Sequence, residues 1–116
     1  MKVALPYPHK FLWPNGRTRS VQAKAREIAK HKCWARTASM AEGRQAFAAD
    51  AFPLPVKITV GGKKTGPLPD ADNVVAAAKS YIDGIALWLG VNDRDFAAPT
   101  VDFGPRTDSF EIEVGQ

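Results

Sequence analysis

Residues 56–89 read VKITVGGKKTGPLPDADNVVAAAKSYIDGIALWL and pass from one structural period to another. Val56 to Val60 alternates apolar and polar, as a half-buried strand does, between Pro55 and the pair Gly61-Gly62. Gly61 to Pro69 has the composition of a flexible loop, with Lys63 and Lys64 inside it. Residues 73–89 then follow helical spacing, apolar at Val74, Val75, Ala78, Ile82, Ile85 and Leu89, and Gly90 closes the run. On the N-terminal side, residues 2–7 (KVALPY) form a short strand ended by Pro6 and Pro8, and the stretch to Arg19, holding Pro14, Asn15 and Gly16, has the composition of an ordered turn. Ser20 to Met40 is rich in helix formers; Val21, Ala25, Ile28, Ala29 and Cys33 recur at helical steps as its apolar face, with Lys24, Arg26, Lys30, Lys32 and Arg36 on the other. Gly43 to Pro55 is irregular. Beyond the second helix, Thr100 to Phe103 and Phe110 to Val114 are expected to be two strands of a closing hairpin, the latter alternating with Glu111 and Glu113 as an edge strand would. The order β-α-β-α-β-β predicts an α/β (α+β) fold in which one small mixed sheet packs against two helices.

The 116 residues fit one domain, residues 1–116, and 45% hydrophobic with 24% charged content supplies one core and excludes general disorder. One cysteine, Cys33, closes no intrachain disulfide, so a disulfide scaffold is excluded and a reducing cytoplasm is the expected location. Neither a signal peptide nor a membrane span is expected, because the apolar run before Pro6 is three residues long and no window holds 18 uninterrupted apolar residues.

The net charge of +4 conceals a segregation: residues 1–36 carry +8, residues 37–65 carry +2, and residues 66–116 carry −6. A basic first third suits a polyanion, since Lys and Arg that meet phosphates release condensed counterions. An acidic second half opposes it unless a cation lies between carboxylate and phosphate, which points to metal-dependent phosphodiester chemistry. A solvated charge imbalance is the plain alternative.

Asp70, Asp72 and Asn73 precede the second helix, where Asp72 or Asn73 suits the N-cap. Lys79 and Asp83, seven and eleven positions beyond Asp72, fall about 20° to either side of it on a helix, so three ionisable groups share one stripe of an otherwise apolar segment. The structural reading of Lys79 is a salt bridge to Asp83 at i+4, a weak pair when exposed. If the turn Val91-Asn92-Asp93-Arg94-Asp95 folds back, Asp93 joins Asp70 and Asp72 in a hard-oxygen site of the kind that takes Mg²⁺ or Mn²⁺.

The run PDADNVVAAAKSYIDGIALWLGVNDRDF, residues 69–96, closely resembles the signature of the RusA family of phage-borne Holliday-junction resolvases: D-x-D-N, a helix with Lys and I-D-G, then an N-D turn. The opening VALPYP…PNGR is similar to that family's L-P-x-P strand and Asn/Arg loop. The resemblance covers most of the chain and leaves residues 37–55 unmatched. It implies a RusA-like fold and an endodeoxyribonuclease in the bacterial cytoplasm, phage or prophage encoded. The enzyme would be a homodimer whose protomers each nick one strand of a four-way DNA junction with Mg²⁺ (Mn²⁺ possible) and no small-molecule cofactor. By motif position Asp70, Asp72 and Asp93 fall on the family's metal-binding aspartates and Lys79 on its active-site lysine. Lys79 stands six residues after Asn73 where many members have three, and the third acidic position reads Asn92-Asp93 where two acids are common. A metal so held would lower the pKa of a bound water and polarise the phosphate, while the Lys79 ammonium would stabilise the transition state or position the nucleophile.

Asn15, Arg17, Arg19, Lys24, Arg26, Lys63 and Lys64 are the candidate DNA contacts, placing the backbone without reading bases. His9, His31 and Cys33 make no zinc site, since the two helical residues point to different faces and no second cysteine exists. Trp13, Trp34 and Trp88 are read first as core or dimer contacts, with stacking on unpaired bases as the alternative. Two rivals stand beside the resolvase: a non-catalytic phage DNA-binding or dimerisation protein on the same scaffold, and a nuclease or phosphatase acting on linear or small phosphate substrates.

Overall fold

The sheet runs in the order β1-β4-β2-β3, built from β1 (Lys2–Pro6), β2 (Val56–Gly61), β3 (Thr100–Phe103) and β4 (Ser109–Val114). The computed structural model describes residues 1–115. Three helices cover one face: α1 (Val21–Ala41), α2 (Ala71–Ala77) and α3 (Lys79–Leu89). The mixed α+β fold predicted from the alternating patterns is the one observed. No helix among the described residues is long and apolar enough to cross a membrane.

The last two strands are not a hairpin. β3 pairs with β2 in parallel, because α2 and α3 carry the chain back along the sheet between them, whereas β4 enters antiparallel between β1 and β2. β4 is therefore a central strand and not an edge. Its alternation is the mark of a sheet covered on one side only: Phe110, Ile112 and Val114 are buried, while Glu111 and Glu113 face outward. The register aligns Val3, Ile112 and Ile58 in one inward row and Leu5, Phe110 and Val60 in the next, and these share a buried cluster with Tyr81, Ile82 and Ile85 of α3. The outward rows place Lys2, Glu113 and Lys57 side by side, a polar face of alternating charge.

The second helix begins two residues earlier than its apolar pattern and divides at Ala78, where the backbone stays near-helical (φ −83°, ψ −5°). Asp70, not Asp72 or Asn73, holds the N-cap position, and its side chain makes no capping bond. Gly90 ends α3 in the left-handed region at φ 70°, a conformation glycine reaches without Cβ strain.

α1 spans nearly the predicted residues, with the Ser20 hydroxyl accepting from the Ala23 N–H at 3.0 Å, but it packs through a different face. Val21, Ala25, Ile28, Ala29 and Cys33 are all exposed; the buried residues are His31, Ala35 and Ser39. The physical reason is the closeness of α3: a Cβ at Gly84 would lie 2.2 Å from the Lys32 carbonyl oxygen, so small side chains such as Ala35 fill the crossing there, while one turn away His31 packs on Tyr81 with ring centroids 5.2 Å apart. The Ser39 hydroxyl satisfies itself on the Ala35 carbonyl at 2.7 Å. Of the tryptophans, Trp13 is buried in the core, whereas Trp34 is 37% exposed beside His31 and Trp88 donates its indole N–H to the Gly43 carbonyl at 3.2 Å.

Candidate functional site

The loop after β1 is fixed from inside. Trp13 donates its indole N–H to the Pro8 carbonyl at 3.1 Å, stacks on Tyr7 with centroids 5.2 Å apart, and meets the edge of Phe110. The chain closes tightly enough that a Cβ at Gly16 would sit 1.5 Å from the Lys10 carbonyl oxygen, so only glycine turns the backbone there. A second anchor reaches α1: the His9 backbone N–H donates to His31 Nε2 at 3.1 Å, and His31 Nδ1 lies 2.7 Å from the Glu27 carbonyl. An amide N–H can only donate and a carbonyl can only accept, so the ring is the neutral tautomer with its proton on Nδ1.

Burial, the largest influence, holds the His31 pKa below its ordinary value of 6.5, outweighing the Glu27 carbonyl and carboxylate that favour the cation. Protonation would also cost the bond from His9. The unfolded chain therefore binds more protons than the folded one from about pH 6.5 down to the lower native value, and stability is present above that window and falls on acidification through it. We expect chemical denaturation to report a loss of at most about 1.4 kcal/mol per pH unit across this range. The His31→Gln variant should show a shallower slope; an unchanged slope would assign the effect elsewhere.

This loop forms one wall of a cleft of about 630 Å³. Asn15 and Arg17 enter it from the loop, Lys63 from the turn after β2, and Asp70 and Asn73 from the start of α2. Three candidate DNA contacts and one candidate acidic residue, from segments some fifty residues apart in sequence, thus share one concavity. Tyr7, Lys10, Trp13 and Leu68 also line it, and none of them stood out as a cleft residue from sequence. Asn73 did carry a signal, as the last residue of D-x-D-N, but it reads equally as a cap.

Lys79 stands apart from that cleft. Its ammonium is 2.7 Å from Asp83 Oδ1 and 3.7 Å from Asp93 Oδ2, so the i+4 pair and the return of the Asp93 turn toward this helix are both present. The Asp83 hydrogen bond, aided by both carboxylate charges and opposed by partial burial, raises the Lys79 pKa above its usual 10.5 and keeps it an ammonium. Lys24 lies with Lys79 and Asp83 along a second groove of about 440 Å³. Arg19, Arg26 and Lys64 are exposed and line neither the cleft nor that groove.

The carboxylates have the donor chemistry of a hard-cation site, yet no three His, Cys, Asp or Glu side chains among the described residues are gathered closely enough to hold one ion. Asp70 opens on the cleft, Asp72 is exposed in the first turn of α2, and Asp93 leans on Lys79, which stands seven residues beyond Asp72, or about 10 Å of helical rise.

A protein of Xylella fastidiosa (strain Temecula1), itself described as uncharacterized, is similar to this chain, with 31% identity over 105 residues. The match covers 83% of this chain and 62% of the relative, so the chain spans less than two thirds of that protein's length. No family model matches the sequence.

Proposed function

We propose that the chain is an endodeoxyribonuclease that binds branched DNA and nicks its strands in a divalent-cation-dependent reaction, as a homodimer at a four-way junction. The observation that supports this reading is the shared cleft, in which Asn15, Arg17 and Lys63 face the same space as Asp70. Cations attract and orient a phosphodiester, and the adjacent carboxylate supplies the one group type that phosphate binding alone has no use for. Asp70 is the carboxylate of the cleft that would meet Mg²⁺ or Mn²⁺, with Asp72 and Asp93, which this structure does not gather beside it, as the other candidate ligands; the ion would supply a water of lowered pKa and neutralise charge on the phosphate. Lys79, kept protonated by Asp83 and Asp93, lies in the neighbouring groove with Lys24, so its ammonium would act on the scissile group where the strand passes from the cleft into that groove.

The arrangement of the acidic groups favours one alternative, a non-catalytic protein that binds branched DNA. Its ground is that Lys79 is already paired with two carboxylates and that no metal-ligand cluster is gathered among the described residues. Incubating a synthetic four-way junction, a linear duplex and a mononucleotide phosphate with the protein in Mg²⁺ or Mn²⁺ decides between them. Paired nicks in the junction alone support the nuclease, binding without nicks supports the alternative, and release of phosphate from the mononucleotide would replace both.

Arg17→Ala tests the binding half separately. Arg17 is exposed and lines the cleft, so its loss should weaken junction binding uniformly across sequences and reduce the slope of log K against log salt by about one counterion. Fluorescence anisotropy across a salt series measures this; an unchanged slope would class Arg17 as a solvated side chain.

A further inference from the structure

We infer that the cleft between the loop after β1 and the start of α2 is a pocket for one unpaired nucleotide of a DNA strand, so that the protein selects DNA with a base out of its stack. The inference rests on the reading that the chain binds branched DNA and names what part of that DNA is held. Phosphate binding alone needs cations on an open surface. This site is a concavity of about 630 Å³, inside the range of small-molecule pockets and too small for a duplex.

Its lining divides into the three parts a nucleotide presents. Lys10, Arg17 and Lys63 are the cations for a phosphate. The partly exposed Tyr7 ring, backed by the buried Trp13 with which it stacks at 21°, gives an aromatic surface for the flat face of a base, and Pro67, Leu68 and Pro69 add apolar surface. The side-chain amides of Asn15 and Asn73 each both donate and accept, the chemistry that meets a base edge released from pairing. Without a divalent ion, Asp70 repels phosphate from its own side of the cleft, which gives the nucleotide a preferred direction.

One contact shows how the wall is kept before a ligand arrives. The exposed Lys63 ammonium lies 5.5 Å from the centroid of the Tyr7 ring. A phosphate is a stronger partner for that ammonium than the ring, so binding draws Lys63 off Tyr7 and frees ring surface for the base.

The test uses the full chain in EDTA, so that no cleavage occurs. Deoxycytidine 5′-monophosphate and 2-deoxyribose 5-phosphate are titrated separately, and amide and indole chemical shifts are followed by NMR. The expected result is shifts at Gly16, Asn73 and the Trp13 indole, with the nucleotide bound at least about five-fold tighter than the sugar phosphate, the lower end of what stacking one base contributes. Tyr7 packs on Trp13 and Phe110, so Tyr7→Ala risks the fold. The exposed positions serve instead: Lys63→Ala should weaken both ligands, whereas Asn15→Ala should weaken the nucleotide alone. Equal affinity for the two ligands, or shifts outside the cleft, would overturn the pocket. Nucleotide preference in a protein that never nicks a junction supports the pocket while removing the nuclease reading, and nicking without that preference does the reverse.

Discussion

Asp70→Asn is expected to lower cation-dependent nicking of a four-way junction by about 100-fold or more, the scale on which one charged group acts in a preorganised site, while junction binding in EDTA stays equal or becomes tighter. The substitution is gentle to the fold. Asp70 occupies the N-cap of α2 without a capping hydrogen bond from its side chain, and asparagine is as good a cap residue as aspartate. What changes is charge: the cleft that holds Lys10, Arg17 and Lys63 loses its one carboxylate, so its field for phosphate becomes more positive. A loss of cutting with retained affinity therefore separates a chemical role from a binding one. Asp93→Asn gives the sharper comparison, because Asp93 leans on a lysine that keeps Asp83 as its nearer partner. Should Asp70→Asn cut as well as the parent chain, the carboxylate has no part in the chemistry, and the DNA-binding alternative gains.

The parts of this molecule that were legible in sequence are those where side-chain period and burial agree. β2 and the inward residues of β4 alternate because one sheet face is covered, and the strand elements fall where that alternation predicts them. The same pattern misleads about position. Alternation in Phe110 to Val114 reports one-sided burial and carries no information on neighbours, so a central antiparallel strand reads like an edge. α1 failed for a different reason. Its packed face holds Ala35, Ser39 and a neutral histidine, which weigh little on any hydropathy pattern, whereas Val21 and Ile28, which weigh heavily, point outward at 83% and 40% exposure. The helix is turned by how closely α3 approaches and not by which side is more apolar. At the site, Arg17, Asn15 and Lys63 were legible through loop composition and charge, and their meeting with Asp70 lies in the tertiary fold. Tyr7 and Trp13 could not be told from ordinary core aromatics, since they are largely that: Trp13 is 9% exposed and still lines the cleft.

Gly84→Ala is expected to destabilise the fold by about 2–3 kcal/mol, the usual scale of overpacking a tight interface, although the same change in an exposed helix would stabilise it by about 1 kcal/mol. The sign is decided by α1. An alanine Cβ at this position would meet the Lys32 carbonyl oxygen at 2.2 Å, the Ala35 Cβ at 3.0 Å and the Arg36 amide nitrogen at 3.1 Å. The first two cannot yield by rotation, because one is backbone and the other has no rotamer, so the helices must separate. Separation is not confined to the pair, since His31 lies one residue before Lys32 on the same helix and anchors the loop that carries Asn15 and Arg17. The variant should therefore show a lower urea midpoint and also weaker nucleotide or junction binding under conditions where it is still folded. Urea denaturation with the m-value compared checks the first expectation, and titration below the transition checks the second. An unchanged or raised midpoint would mean that the helices part at little cost. A lowered midpoint with undisturbed binding would mean that the loop is held by its own bonds through Trp13 and Pro8 more than by its anchor on α1.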